Sequence, residues 1–464
     1  MTVSNLSKLG LCLTLAASVS ACSQQSTYHR QDLVLASSWQ QPDDGLIQQP
    51  AGLWWHGFKD HALDQLVDTV LAANPDMQVA GLRLRNALLG ADLADTNQTP
   101  SIGANLGANS TKNLKDRSSD NSSNSSRTSG TLSLTLSYEV DLWGRLASVR
   151  DQASWEAEAS AQDLAAIRLV LIGKALEQYW QLAYLGSAIT LGKRQLANYT
   201  RAEQLTQTKY RAGDITRLDL VQASQQKAGK QAELTSLMMQ QEQARNGLRL
   251  LLGRSSGPLE FAPTELTTTP APSLAAGIPA DVLARRPDVR AAELRLRKAL
   301  AKGDEIRTGF YPILSLTGSA SSTSDTLSQI LQNPVGTLGA SLALPFLEYN
   351  KTRLSIASSE LDYQIAESEF RKHLYTALIE VEDGLVARHH GEQRLSYLAE
   401  QLAFVEEAER LAKARFRAGA TGVQPWLDEQ NRLWDAELAL LNQQKEQLNT
   451  MARIYKALGG SDRS

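Results

Sequence analysis

Residues 137–146 read SYEVDLWGRL. They close an alternating stretch, Thr131-Leu-Ser-Leu-Thr-Leu-Ser-Tyr138, and open roughly seventy residues with scarcely a turn signal. Period-two alternation marks a strand with one apolar and one polar face. The run that follows steps by three and four: Leu169, Ile172, Leu176, Tyr179 and Ala183 form one stripe, and Leu171, Ala175, Leu182, Leu185 and Ile189 a second. That is a helix with neighbours on two sides. The stretch is therefore a crossing from sheet to long helix.

The crossing belongs to a plan used twice. Asn74-Pro-Asp-Met-Gln-Val-Ala-Gly-Leu-Arg-Leu-Arg-Asn-Ala87 matches Arg286-Pro-Asp-Val-Arg-Ala-Ala-Glu-Leu-Arg-Leu-Arg-Lys-Ala299 at an offset of 212, which Pro100 and Pro312 share. Tyr210-Arg-Ala-Gly213 matches Phe416-Arg-Ala-Gly419 at an offset of 206. Three matches in one order indicate duplication. Each copy predicts a helix (76–98, 288–309), a hairpin, a long helix (144–211, 349–417), a turn at Gly213 or Gly419, and a returning helix (216–252, 423–458). At about 1.5 Å per residue the longer helices extend ~100 Å.

In the first hairpin Ile102, Ala104, Leu106 and Ala108 share a face, opposite Ser101, Gly103, Asn105 and Gly107. Its loop spans 110–130 and is crowded with Ser, Asn, Asp and Gly. The second alternates at Leu314 and Leu316, then at Leu338, Ala340, Leu342, Leu344 and Phe346, around a loop near 321–336. The returning helices carry stripes at Leu234, Leu237, Ala244, Leu248 and Leu251 and at Leu441, Leu448 and Tyr455. The expected fold class is mainly α with a pair of β-hairpins, internally duplicated.

Composition agrees with long helices: 464 residues, aromatics at 6%, and a formal charge of −3. So balanced a charge offers no basic surface for nucleic acid. At the N-terminus, Lys8 precedes an apolar run, Leu9 to Val19, too short to span a bilayer and read as a secretion signal. It ends in Val19-Ser20-Ala21-Cys22, which resembles the bacterial lipobox, whose Cys becomes the acylated first residue. Ser23 after that Cys implies, by the same resemblance, the outer membrane. Cys12 would leave with the signal, so the mature chain would hold no disulfide and no thiolate metal site. The expected organisation is a signal peptide (1–21), a lipidated tail (22–50), a first repeat (51–253), a proline- and threonine-rich linker (254–280) and a second repeat (281–464).

Strands with one apolar and one polar face suit a membrane barrel. Lipid cannot satisfy an open sheet edge, and small membrane barrels begin at about 8 strands. One chain supplies four strands. Two chains would close a barrel filled by side chains; three would give twelve strands and room for a lumen. Ser133, Thr135 and Ser137, with the small polar residues of the first strand, suit a wet interior.

Several motifs in order carry a resemblance. They are Trp54-Trp55-x-x-Phe58-x-Asp60, Asn74-Pro75-Asp76, Ser137 to Arg145, Tyr210-Arg-Ala-Gly213, Gly277-Ile-Pro-Ala-Asp-Val-Leu-Ala-Arg-Arg-Pro-Asp288 and Leu342-Ala-Leu-Pro-Phe346. Together they resemble the TolC-like outer-membrane channels of tripartite efflux pumps, in the lipoprotein branch serving resistance-nodulation-division transporters. The resemblance covers nearly the whole mature chain. It implies a homotrimer, a shared twelve-stranded transmembrane barrel, a trimeric helical tunnel in the periplasm, a periplasmic membrane-fusion adaptor and an inner-membrane transporter. It implies no cofactor and no metal, and the chain carries no catalytic motif.

The resemblance also assigns residues. Arg211-Ala212-Gly213 and Arg417-Ala418-Gly419 fall at the tips that meet the adaptor. Asp219 and Asp428 fall where the family narrows its tunnel, and three copies of each would form acidic rings favouring cations, held by Arg211, Arg217 or Arg417. The read of these carboxylates as plain helix-start residues, favoured by the helix dipole, stays open beside it. Gln424-Pro425 departs from the family pattern, so Gln424 or Trp426 is the alternative constriction. Asp141, Trp143, Gly144 and Arg145 mark the joint from barrel to helix, where the second repeat uses Leu344-Pro345-Phe346. The expected function is passive export of small molecules. A polypeptide-secretion duct and a non-conducting spacer are the alternatives, and the hairpins speak against the spacer.

Overall fold

The computed structural model describes residues 26–29, 39, 53–112, 126–261, 263, 265–266, 285–325 and 331–460. Cys22, the signal segment and most of the linker lie outside the described residues. After a 3-10 turn at Trp54–Phe58 come α1 (His61–Ala73), α2 (Pro75–Thr96), β1 (Ser101–Lys112), β2 (Ser126–Val140), α3 (Arg145–Ala212) and α4 (Arg217–Leu251). The second repeat runs α5 (Pro287–Thr308), β3 (Ile313–Ser324), β4 (Pro334–Ala343), a 3-10 turn at Pro345–Leu347, α6 (Tyr349–Arg417) and α7 (Gln424–Ala457). Each expected helix forms within about two residues of its predicted ends. Pro75 and Pro287 open their helices because the first helical turn needs no N–H from them.

Three features differ from expectation. The strands reach further into the loops, because the Ser- and Thr-rich ends of β1, β2 and β3 still pair along the ladder. β4 stops at Ala343 instead of continuing through Phe346, since Pro345 has no N–H for a ladder and starts a 3-10 turn. Finally, α1 adds a helix. Asp60 Oδ1 caps it, accepting the Ala62 and Leu63 N–H groups at 3.0 and 3.3 Å, and Leu63, Leu66, Val67 and Val70 form its buried stripe.

The described chain forms two compact units, and each draws on both repeats. One comprises Met1–Asp32, Arg83–Ala161 and Ala291–Arg371; the other comprises Leu33–Leu82, Gln162–Arg290 and Lys372–Ser464. The first unit holds the sheet, which is antiparallel in the order β1-β2-β3-β4. Its register places Ile102 beside Leu136, Tyr138 beside Leu316, and Leu314 beside Leu342. All four strands therefore present one apolar face. The opposite face reads Ser101, Ser137 and Thr317 across the first three strands, with Gly339 completing the row.

The second unit is built on helix packing. Trp54, Trp55, Phe58 and the α1 stripe bury against Leu171, Ile172, Leu176, Tyr179 and Trp180 of α3 and Ile454 and Tyr455 of α7. Trp54 stacks on Tyr455 with ring centroids 5.2 Å apart, and Tyr179 Oη donates to Asp60 Oδ2 at 2.7 Å. Both predicted stripes of α3 are buried. No described helix is long and apolar enough to cross a membrane.

Candidate functional site

Conduction surfaces begin with the sheet. Leu338 is 93% exposed, and Ile102, Leu106, Leu134, Leu136, Leu316 and Leu342 are also exposed. An apolar face of this extent, left bare in water, would be strongly unfavourable at about 25 cal/mol per Å². The strands are 12, 15, 12 and 10 residues long, and about 9–11 suffice for a tilted membrane strand. Among the described residues, the outer edges of β1 and β4 pair with no strand.

The joint after β2 is tied within its own unit. Gly144 takes φ 77°, a left-handed backbone that a side chain would strain. Asp141 Oδ2 accepts the Ala147 N–H at 2.9 Å, so it caps the start of α3. Arg145 reaches back to Glu139 with three hydrogen bonds of 2.8–3.0 Å. Trp143 Nε1 donates to the Pro312 carbonyl at 3.0 Å, and its ring lies 5.2 Å from that of Tyr311. Strand β2 is thereby bound to the residue leading into β3. Among the described residues the corresponding joint at Pro345 has no such ties: its 3-10 turn buries nothing, and Phe346, Leu347 and Tyr349 are exposed.

At the two helical turns the backbones agree closely. Gly213 and Gly419 take φ 81° and 73°. The Asp214 N–H bonds to the Lys209 carbonyl, and the Ala420 N–H to that of Arg415, each five residues back. This is the Schellman ending, for which glycine suits the left-handed position. Arg211, Ala212, Arg417 and Ala418 are exposed with the glycines.

Beyond the turns the two repeats part. Thr216 caps α4 in a reciprocal capping box: Asp219 Oδ2 accepts the Thr216 N–H at 3.0 Å and its hydroxyl at 2.6 Å. In α7, Gln424 Nε2 donates to Asp428 Oδ1 at 2.6 Å. Arg211, Arg217 and Arg417 make no ion pair with either carboxylate among the described residues. Trp426 is buried, stacks on Phe416 at 5.4 Å and donates from Nε1 to Glu409 Oε1 at 2.8 Å. It packs the tip and presents no free surface, unlike Gln424 and the exposed Asp428. Lys209, which the sequence reading passed over, joins the hairpins: Nζ donates to the Phe416 carbonyl at 3.1 Å and lies 4.7 Å from its ring centroid. The signal for this was Phe416 itself, the aromatic counterpart of Tyr210 in the repeated turn.

A sheet apolar on one face, open at both edges and joined to very long helices with bare turns defines a membrane conduit rather than an enzyme. The chain belongs to the outer membrane efflux protein family, which it matches over residues 66–254 and 278–460. It is 30% identical over 456 residues to the pyoverdine export outer membrane protein OpmQ of Pseudomonas putida, covering 97% of each chain. It is 29% identical to the probable efflux pump outer membrane protein TtgC of the same species, over 98% of this chain and 95% of that one. Among solved structures, the outer-membrane channel OprN superposes with a TM-score of 0.84 at 25% identity, over 95% of this chain and 99% of that one. The open MtrE channel of Neisseria gonorrhoeae gives 0.81 at 26%, over 95% and 98%. The protein is thus an efflux channel of the outer membrane, a duct with no enzymatic activity.

Proposed function

We propose that the chain is the outer-membrane stage of a tripartite pump and exports small molecules passively as a homotrimer. One observation carries the stoichiometry: four strands with a continuous apolar face and two open outer edges. Three copies joined β4 to β1 close twelve strands around a polar interior, which leaves a lumen. Exposed apolar stripes support the same assembly. α2 shows Val79, Leu82, Leu89 and Leu93 at heptad-like spacing, and α6 shows Tyr397, Phe404 and Leu411 at intervals of seven. The bare joint at Phe346 and Leu347 is a further surface for a neighbouring copy.

The tips at Arg211-Ala212-Gly213 and Arg417-Ala418-Gly419 offer small, exposed turns to a periplasmic adaptor. An inner-membrane transporter of the resistance-nodulation-division class supplies the energy. The acylated Cys22 and outer-membrane lipid hold the trimer in place. Asp219, Asp428 and Gln424 form the constriction, with Arg217 close in sequence and Trp426 as the packing beneath. The protein-secretion duct is the competing reading. Deleting the gene should raise dye and antibiotic accumulation and leave polypeptide secretion intact; the reverse pattern favours the competitor. Mass measurement of the purified protein should give three copies. Asp428→Lys should reduce cation preference in planar bilayers, and an unchanged preference removes Asp428 from the constriction.

A further inference from the structure

A charged cleft of about 270 Å³ opens between α3 and α7 within the helical unit. The periodicity of the two helices produces it. On α3, Leu171, Ile172, Ala175 and Leu176 turn toward the tryptophan turn and α1, and on α7 Ile454 and Tyr455 do the same. The opposite faces carry Gly173, Lys174 and Glu177 on one helix and Asn449, Arg453 and Lys456 on the other, neighbours at spacings of three and four. Three cations thus line the cleft against one carboxylate.

Glu177 stands 3.8 Å from Arg453, and Glu446, outside the cleft, approaches the same guanidinium at 4.0 Å. Among the described residues Lys174 and Lys456 have no ion-pair partner. Lys456 is half-buried, with its stem over Gly173: a Cβ there would stand 3.5 Å from its Cδ. At the base, Asn449 is 5% exposed, and its Oδ1 has no hydrogen-bond partner among the described residues. A buried amide left unpaired is unfavourable, and turning it end for end offers Nδ2 to the same space. Like charges gathered in a cleft repel one another and focus a positive field into it. An entering anion relieves both.

We propose that this cleft binds a small organic anion through its carboxylate or phosphate oxygens, and that such anions are one class of the exported cargo. Lys174 and Lys456 supply the charge, Arg453 a planar fork and Asn449 a neutral donor. The cargo assignment rests on the export reading. The other side of this helix layer is covered by α1 and the tryptophan turn, so in a tunnel wall the cleft takes the face left to the lumen. Exposed lysines make such a site weak and sensitive to salt, as a duct requires, since cargo held tightly would not leave.

The test uses the purified full chain in detergent and carboxyfluorescein, an anionic dye, as the probe. Fluorescence anisotropy at low salt should report saturable binding that potassium chloride abolishes and citrate displaces. Lys174→Gln combined with Lys456→Gln should weaken it about tenfold, as the loss of charge-assisted contacts does. Asn449→Leu, which nearly keeps the side-chain volume, should weaken it several-fold. Glu177→Gln should tighten it, because the carboxylate that competes for Arg453 is gone; a role confined to holding α3 on α7 predicts no gain. Lys193 is exposed farther along α3, and Lys193→Gln should leave binding as it is. In cells, the double variant should raise carboxyfluorescein accumulation several-fold and leave that of ethidium, a cation, near the parent. No binding by the parent, equal binding by parent and double variant, or an equal rise in both dyes overturns the anion cleft. A gene deletion that changes the accumulation of neither dye, with binding intact in the purified protein, overturns the export reading and the cargo assignment with it, and leaves the anion site standing.

Discussion

Where α4 ends, Asn74 meets it; where α7 ends, Arg286 does. Asn74 Nδ2 donates to the carbonyl of Leu251 at 2.8 Å, and Arg286 Nη1 to that of Ala457 at 3.2 Å. The donors are related by the offset of 212 and the acceptors by that of 206, the same offsets that relate the repeats. Both helices then finish on a left-handed glycine, Gly253 at φ 65° and Gly459 at φ 88°. A Cβ on Gly253 would stand 2.9 Å from the Ala73 carbonyl oxygen, and one on Gly459 3.0 Å from the Arg285 carbonyl carbon. The backbone requirement is identical: the last carbonyls of a helix need a donor, and the turn needs a residue without a side chain.

The chemistry of the donor differs. Asn74 is neutral, and its Oδ1 also caps α2 by accepting the Asp76 N–H at 2.8 Å. Arg286 brings a buried charge, which Asp288 meets with two bonds of 3.0 and 2.6 Å and Glu380 with one of 2.6 Å. Burial pushes the Asp288 carboxyl up, but the hydrogen bonds and charge of Arg286 outweigh it and hold it below the usual carboxylate range. Duplication thus kept the demand and let the means diverge, at the cost of making one joint dependent on ionisation.

The largest expected effect comes from removing the charged donor. Arg286→Ala takes the guanidinium partner from Asp288 and Glu380 and should destabilise the helical unit by about 3 kcal/mol, at the low end for a broken buried pair because both carboxylates keep partial exposure and Asp288 keeps the Val289 N–H. Urea unfolding of the detergent-solubilised protein measures it; a loss no greater than that of Asn74→Ala would erase the distinction between the joints. Next come the glycines. Gly459→Ala and Gly253→Ala should each lose about 2 kcal/mol, from left-handed strain and contact with backbone that cannot yield. Gly213→Ala and Gly419→Ala, with open space around the Cβ, should lose only the strain, about 1 kcal/mol.

Asn74→Ala should cost about 1 kcal/mol, as the loss of a cap does. The smallest effect is in the pH dependence. A carboxyl held low in the folded state adds stability above its unfolded pKa, near 4, and loses it as pH falls through the lower folded value. The gap between parent and Arg286→Ala should therefore narrow below about pH 4, while the gap between parent and Asn74→Ala stays constant. A constant gap for both would show that Asp288 is not linked to the joint.

Much of this architecture was legible because it is local. The two stripes on α3, the alternation in the hairpins, and glycines or prolines at the turns each act within a few residues. The elements whose bounds shifted are those where local signals competed: alternation through Leu344 and Phe346 gave way to the missing N–H of Pro345. Helix α1 carries its own signal, Asp60 before Leu63, Leu66, Val67 and Val70, directly after the tryptophan-rich turn.

Side-chain partnerships were another matter. By sequence the acidic residues after each tip share one role, yet Asp219 is drawn into a capping box while Asp428 takes the Gln424 amide. Trp426, a candidate constriction by its position, is buried and stacked on Phe416. Each repeat also contributes to both compact units, a division that no linear boundary anticipates. The order of residues by itself determined periodicity, turns, duplication and hence the kind of protein, since these depend on spacing along the chain. Tertiary structure alone decided that Arg286 reaches Glu380 and Ala457, that Lys209 joins the two tips and that Asp304 receives Ser26. Those bonds link residues tens to hundreds of positions apart, and burial, which no local pattern encodes, is what makes each of them matter.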